Sequence, residues 1–374
     1  MEKLLNSDAI QHALAERGIT QKQLADAVGI SSQAVTNWLK GKDFPRPASL
    51  LKLATTLSLT FEQLVKTSDA GRPVIAYRKK ANAKTTATHL AKAEGIGMLL
   101  KPLVAHLTEL QALRTLITSP STDYDKLQTI VSQTRNRLGI GEQAVLGYES
   151  LIGEFKECGA VLVPVLWGAK GNHENALHIR LPQEDVTFIF LNLDTHLEDF
   201  KFWMAHELAH VLTPELSGTN PGEDFADAYA GALLYPKACA ESAYHQAIRQ
   251  ATADKMFGVL MREAQTHMIS LNTVFQQVKQ YAKSTSLPPL LIEETAIHAR
   301  RNSLRGPLVS EALFDPMPPS PQRYIAACEN AFQTGFFHAL KRMIVESGTG
   351  AAYIQQVLDT PLQDALALHE ELRR

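Results

Sequence analysis

The chain has 374 residues, too many for one ordinary domain at roughly 150 residues per domain, and its 45% hydrophobic and 20% charged residues exclude disordered and fibrous classes. The net charge of -2 is unevenly spread: residues 1–80 hold 12 Lys+Arg against 7 Asp+Glu, leaving 25 against 32 for the rest, so only the N-terminal part favours an anionic partner. Cys158, Cys239 and Cys328 are too few and too scattered for a disulfide framework, no leader pattern opens the chain, and the longest apolar run, around Val161 to Trp167, is too short to span a bilayer; a cytoplasmic protein with no membrane role is expected.

Residues 1–66 read as short helices separated by Gly, Ser or Pro breaks, with no strand among them. Within them, Thr20 to Trp38 forms a two-helix pattern with Thr20 as a cap and Gly29 at the turn. Leu24, Ala25 and Val28 would pack on Ile30, Val35 and Trp38. That leaves Ser32, Gln33, Thr36 and Asn37 on a polar face suited to reading base edges. Lys40, Lys42 and Arg46 follow, suited to phosphates.

The order of elements over about residues 5–66, with Gln21 opening the first of the two helices and Leu50-Leu51-Lys52-Leu53-Ala54 beyond, resembles the Cro/repressor-type helix-turn-helix of the XRE family. The resemblance implies that residues 1–67 bind double-stranded DNA, with the protein acting as a homodimer.

From Ser68 to about Lys84 the sequence is basic and irregular, including Tyr77-Arg78-Lys79-Lys80, and reads as a linker; helical segments follow to Gly159, making 68–144 a linker and connector. Val161–Leu166, Ala176–Leu181 and Val186–Leu191 predict a sheet of three strands. The pattern is then helical to the C-terminus, with 241–374 a separate helical region, so the fold class is α+β and mostly helical.

His206-Glu207-Leu208-Ala209-His210 places two imidazoles one helical turn apart, as a tetrahedral zinc ion requires. Glu207 beside them can take a proton from a water that the ion acidifies to a pKa of roughly 7. A second helix opens at Asn220-Pro221-Gly222-Glu223, where Glu223 can supply a third ligand and Asp227, on the same face, can accept a hydrogen bond from a ligand histidine. Glu215 and Asp224 compete for the third place, and His173, His196, Tyr229 and Tyr235 are further polar groups that could serve an oxyanion.

The two helices together, with Glu223-Asp224-Phe225-Ala226-Asp227, then Tyr229-Ala230 and Leu233-Leu234-Tyr235-Pro236, resemble the ImmA/IrrE family of metallopeptidases over about residues 145–240. The resemblance implies a zincin-like small-sheet domain spanning 145–240, with Zn2+ held by His206, His210 and Glu223 and with Glu207 catalytic. It also implies, as substrate, a transcriptional repressor or partner regulator. The alternative is a non-proteolytic repressor or antitoxin-like autoregulator whose metal domain senses a ligand or supports dimerisation.

Overall fold

The structure is a computed structural model that describes residues 3–40, 42–67, 72–76, 87–107, 116–168, 175–301 and 305–374. The chain divides into two compact units, Met1–Arg72 and Pro73–Arg374, so the segments read as connector and C-terminal region belong, from Pro73 on, to the second unit.

The first unit carries helices α1 (Ser7–Arg17), α2 (Gln21–Val28), α3 (Ser32–Leu39), α4 (Pro47–Leu57) and α5 (Phe61–Leu64). Thr20 and Gln23 form a reciprocal capping box at the start of α2, and Gly29 closes it in the left-handed region at φ 78, which a side chain would resist. Ser31 then caps α3 through the amide of Ala34. Leu24, Ala25, Val28, Val35 and Trp38 share one core with Ile10, Leu14, Leu53 and Leu57. The expectation of no strand here is corrected: β1 (Lys3–Leu5) and β2 (Val65–Thr67) pair antiparallel and tie the two ends of the unit together.

The second unit is built on a four-stranded sheet, not the expected three. Its order is β3-β5-β6-β4, with β3 at Val74–Ala76, β4 at Ala160–Val165, β5 at Ala176–Leu181 and β6 at Val186–Asn192. The strand missed from sequence is β3, antiparallel to β5 with Ala76 opposite His178. Strand β6 is buried along its whole length, antiparallel to β5 and parallel to β4. Strand β4 holds Pro164, which an edge strand tolerates.

Helices α6 (Ala87–Val104), α7 (Tyr124–Arg137) and α8 (Tyr148–Glu157) all lie between β3 and β4 in sequence. Gly97 lets α6 approach the sheet closely, since an added Cβ would lie 2.5 Å from Pro73 and 3.0 Å from Ile179. Helices α9 (Leu197–Leu212) and α10 (Asn220–Leu234) follow the sheet. Beyond them run α11 (Lys237–Ile248), α12 (Ala253–His267), α13 (Leu271–Ser284), α14 (Glu294–Arg301), α15 (Val309–Leu313), α16 (Pro321–Phe332), α17 (Phe336–Ser347), α18 (Ala351–Leu358) and α19 (Leu362–Arg373). Tyr324 on α16 and Thr334 donate to the Pro164 and Leu162 carbonyls, which protects the β4 edge.

Two buried cations brace these helices. Arg135 on α7 donates to Leu233 O at the end of α10 and to Gly141 O, each at 2.8 Å, and Lys201 on α9 donates to His267 O at 2.7 Å. Helix α10 also depends on Gly222, where an added Cβ would fall 2.1 Å from Leu216 O, a backbone atom with no freedom to step aside. Gly222→Ala is therefore expected to destabilise the second unit by about 2–3 kcal/mol in urea unfolding, in the upper range of overpacking. Gly95→Ala on α6, where nothing lies within 4 Å, should instead stabilise by about 0.5–1 kcal/mol.

Candidate metal centre

Helix α9 begins after His196 with Glu198 and Asp199 in its first turn, where the helix dipole favours negative charge, and buries ten of its sixteen residues. It ends where the Thr213 hydroxyl folds back on Ala209 O at 2.8 Å, next to Pro214. Helix α10 is capped by Thr219 through the Gly222 amide and carries Pro221 in its first turn. Ala205, Ala209, Ala226 and Ala230 are all fully buried, and small residues of this kind let the two helices lie close.

Three ligand-type groups meet between α9 and α10: His206, His210 and Glu223, all buried. His206 Nε2 and His210 Nε2 are 3.2 Å apart. Glu223 Oε1 lies 3.3 Å from His210 Nε2, and its Oε2 lies 3.5 Å from His206 Nε2. Two imidazole nitrogens turned on each other and on a carboxylate form a donor set for a cation. A small tetrahedral ion with bonds of about 2.0–2.2 Å spaces its ligands by about 3.3–3.6 Å, close to the separations found here.

On the far side of His206, Nδ1 faces Asp227 Oδ1 at 3.0 Å, an arrangement that fixes the ring and directs Nε2 inward. Burial pushes the His206 imidazolium down, but hydrogen bonds to Asp227 and Glu223 outweigh it and raise its pKa to about 9. Burial likewise pushes the Glu223 carboxyl up, and the two histidines outweigh it and bring it to about 2. Glu223 is thus held as a carboxylate, the form a metal ligand needs.

Glu207 is buried beside this group without belonging to it. Its Oε2 lies 3.6 Å from Nδ1 of His178, a residue that sequence reading missed. His178 is fully buried on β5, with its ring centroid 5.6 Å from that of His210, and burial lowers its pKa. The signal for it was weak: a lone histidine in an alternating strand ordinarily faces solvent, and here the helices cover that face.

The competing acids Glu215 and Asp224 are exposed and outside the ligand group. The other polar candidates are engaged elsewhere: His196 Nδ1 meets Gly306 O at 2.6 Å, the Tyr229 hydroxyl donates to Thr134, and Tyr235 donates to Glu263. His173 and the linker run Tyr77-Arg78-Lys79-Lys80 lie outside the described residues.

In the first unit, Gln21, Ser32, Gln33, Lys40, Lys42 and Arg46 are exposed, whereas Thr36 and Asn37 are half-buried. Gln33 Nε2 donates to Asn37 Oδ1 at 3.0 Å, so the two amides form one polar patch on α3. The Thr36 hydroxyl donates to Ser32 O at 3.0 Å, which leaves its oxygen free only to accept. Trp38 is core, as its spacing implies.

A helix-turn-helix family model matches residues 10–64. No curated protein and no solved structure matches the chain. The N-terminal unit is a DNA-binding helix-turn-helix of the kind found in transcription regulators. Among the described residues no helix is long and apolar enough to cross a membrane.

Proposed function

We propose that this DNA-binding regulator carries a zinc-dependent peptidase in its second unit, acting on a repressor or partner regulator. The observation that carries the reading is the convergence of His206, His210 and Glu223 ligand atoms, 3.2–3.5 Å apart, with Glu207 buried alongside but outside the group. The resemblance of residues 145–240 to the ImmA/IrrE family supports the same assignment of roles. Two imidazoles and a carboxylate suit zinc, and a set of three protein ligands is the catalytic pattern, since structural zinc sites take four.

When bound, zinc supplies Lewis acidity toward a peptide carbonyl and an acidified water. Glu207 takes the proton of the attacking water and returns it to the leaving amine. Asp227 holds the His206 ring through Nδ1, and the α9 and α10 alanines fix the spacing of the ligands. The test is zinc content of the purified chain together with cleavage of a co-expressed partner regulator, by the native chain and by Glu207→Gln. A metal-free native chain or undiminished cleavage by Glu207→Gln overturns the reading.

The burial of the ligands, with His206 and His210 each 1% exposed and Glu223 8%, favours a second reading, in which the ion supports a regulatory conformation and no peptide is cut. Under it, Glu207→Gln leaves every output intact while ligand variants abolish regulation.

The first unit is proposed to bind duplex DNA as a homodimer, with Gln33 and Asn37 toward base edges and Lys40, Lys42 and Arg46 toward phosphates. Lys42→Ala is expected to weaken binding to all sequences alike and to lower the salt slope by about one. Gln33→Ala with Asn37→Ala should instead cost about 1–3 kcal/mol of discrimination between bases. Fluorescence anisotropy on the gene's own upstream DNA at several salt concentrations checks both; equal losses on all sequences for the Gln33/Asn37 variant count against the assignment.

A further inference from the structure

His178 occupies the middle of β5, between Ala76 of β3 and Ile189 of β6, so its backbone is held from both sides. Its ring lies on the sheet face that meets α9, fully sealed from solvent. Neither ring nitrogen has a hydrogen-bond partner, and neither does Glu207 Oε2, which lies 3.6 Å from Nδ1. Three sealed polar atoms in one place are costly unless they satisfy one another. Two of them already face each other.

The chemistry of the pair fixes its polarity. A neutral imidazole carries one N–H and one bare nitrogen, and an ionised carboxylate only accepts. His178 must therefore present Nδ1–H to Glu207. The gap exceeds a normal hydrogen bond by about half an ångström, so the pair faces each other without yet being bonded. His178 is not a fourth ligand, because it lies outside the group formed by His206, His210 and Glu223.

We propose that His178 is a positioning residue for Glu207: its Nδ1–H holds Oε2 and leaves the other carboxylate oxygen, Oε1, to exchange the proton. This role rests on reading Glu207 as the base. It also gives β5 a task besides packing, that of setting the orientation of a carboxylate carried by α9.

The test begins without metal or substrate. In full-length protein with 15N-labelled histidine, long-range 1H–15N spectra should show His178 as the Nδ1–H tautomer, and Glu207→Leu should abolish that preference. An Nε2–H tautomer in the native chain, or one indifferent to Glu207→Leu, overturns the proposal. In the cleavage assay, His178→Leu should lower kcat about tenfold at unchanged KM and zinc content, within the range for residues that act through another group. His178→Asn, whose amide N–H replaces Nδ1–H, should recover most of it; equal loss in both variants refutes positioning. Undiminished cleavage by Glu207→Gln sinks the peptidase reading by itself, while the tautomer still decides whether His178 holds Glu207.

Discussion

Elemental analysis is expected to find about one zinc per native chain and background levels in His210→Ala. The site offers three protein ligands, and His210 Nε2 approaches both of the others, at 3.2 Å from His206 Nε2 and 3.3 Å from Glu223 Oε1. Removing it leaves two ligands and a buried carboxylate with half its partners. Asp227→Ala should be milder, roughly 10- to 100-fold in affinity, because it frees the His206 ring without removing a donor. The pH dependence follows from the His206 pKa of about 9 in the metal-free protein. Below that pH the imidazole holds a proton that the ion must displace. Apparent affinity should therefore rise about tenfold per pH unit up to about 9 and then level off. Glu223, at about 2, remains ionised throughout and adds no slope. Competition with a chromophoric chelator between pH 6 and 10 would expose a flat profile, which would mean that the ion displaces no proton from His206 on binding.

What the sequence made legible is what local rules control. The Thr20 cap, Gly29 at the turn and the apolar spacing of α2 and α3 are settled within a few residues, and these elements form where expected. The same holds for His206 and His210, whose spacing places them on one helical face whatever surrounds them. Glu223 needed one further step, the approach of α10 to α9, which the buried alanines foreshadow.

The illegible features are those set by distant partners. Strand β3 is only Val74-Ile75-Ala76, too short for alternation to register, and its partner β5 comes after three intervening helices. Strands β1 and β2 are equally short and meet across the whole first unit. His178 became visible only when β5 was set against α9, since nothing in Ala176–Leu181 marks one residue as facing a carboxylate. The Thr36 hydroxyl, read as a base contact, is held by the backbone one turn earlier, a local competitor that propensity arguments pass over.

Glu207→Gln is expected to keep the zinc and lose cleavage by about 10²- to 10⁴-fold, the contribution of a positioned general base. The two outcomes separate because the residue is buried next to the ligand group but is not part of it. The amide has nearly the shape of the carboxylate, so α9 and α10 keep their packing and the three ligand atoms keep their spacing. What disappears is the capacity to accept a proton from the attacking water. The amide also brings donors of its own, and if its NH2 turns toward His178 Nδ1, the imidazole must change tautomer to accept it. The substitution therefore probes base and positioning residue together. Zinc content, thermal unfolding and cleavage measured on the same preparation separate a lost proton acceptor from a lost ligand or a lost fold, and the His178 tautomer reads the positioning contact. Native zinc with native stability and no cleavage is the signature of a lost base; loss of zinc would place Glu207 among the ligands, and full cleavage would remove it from the chemistry.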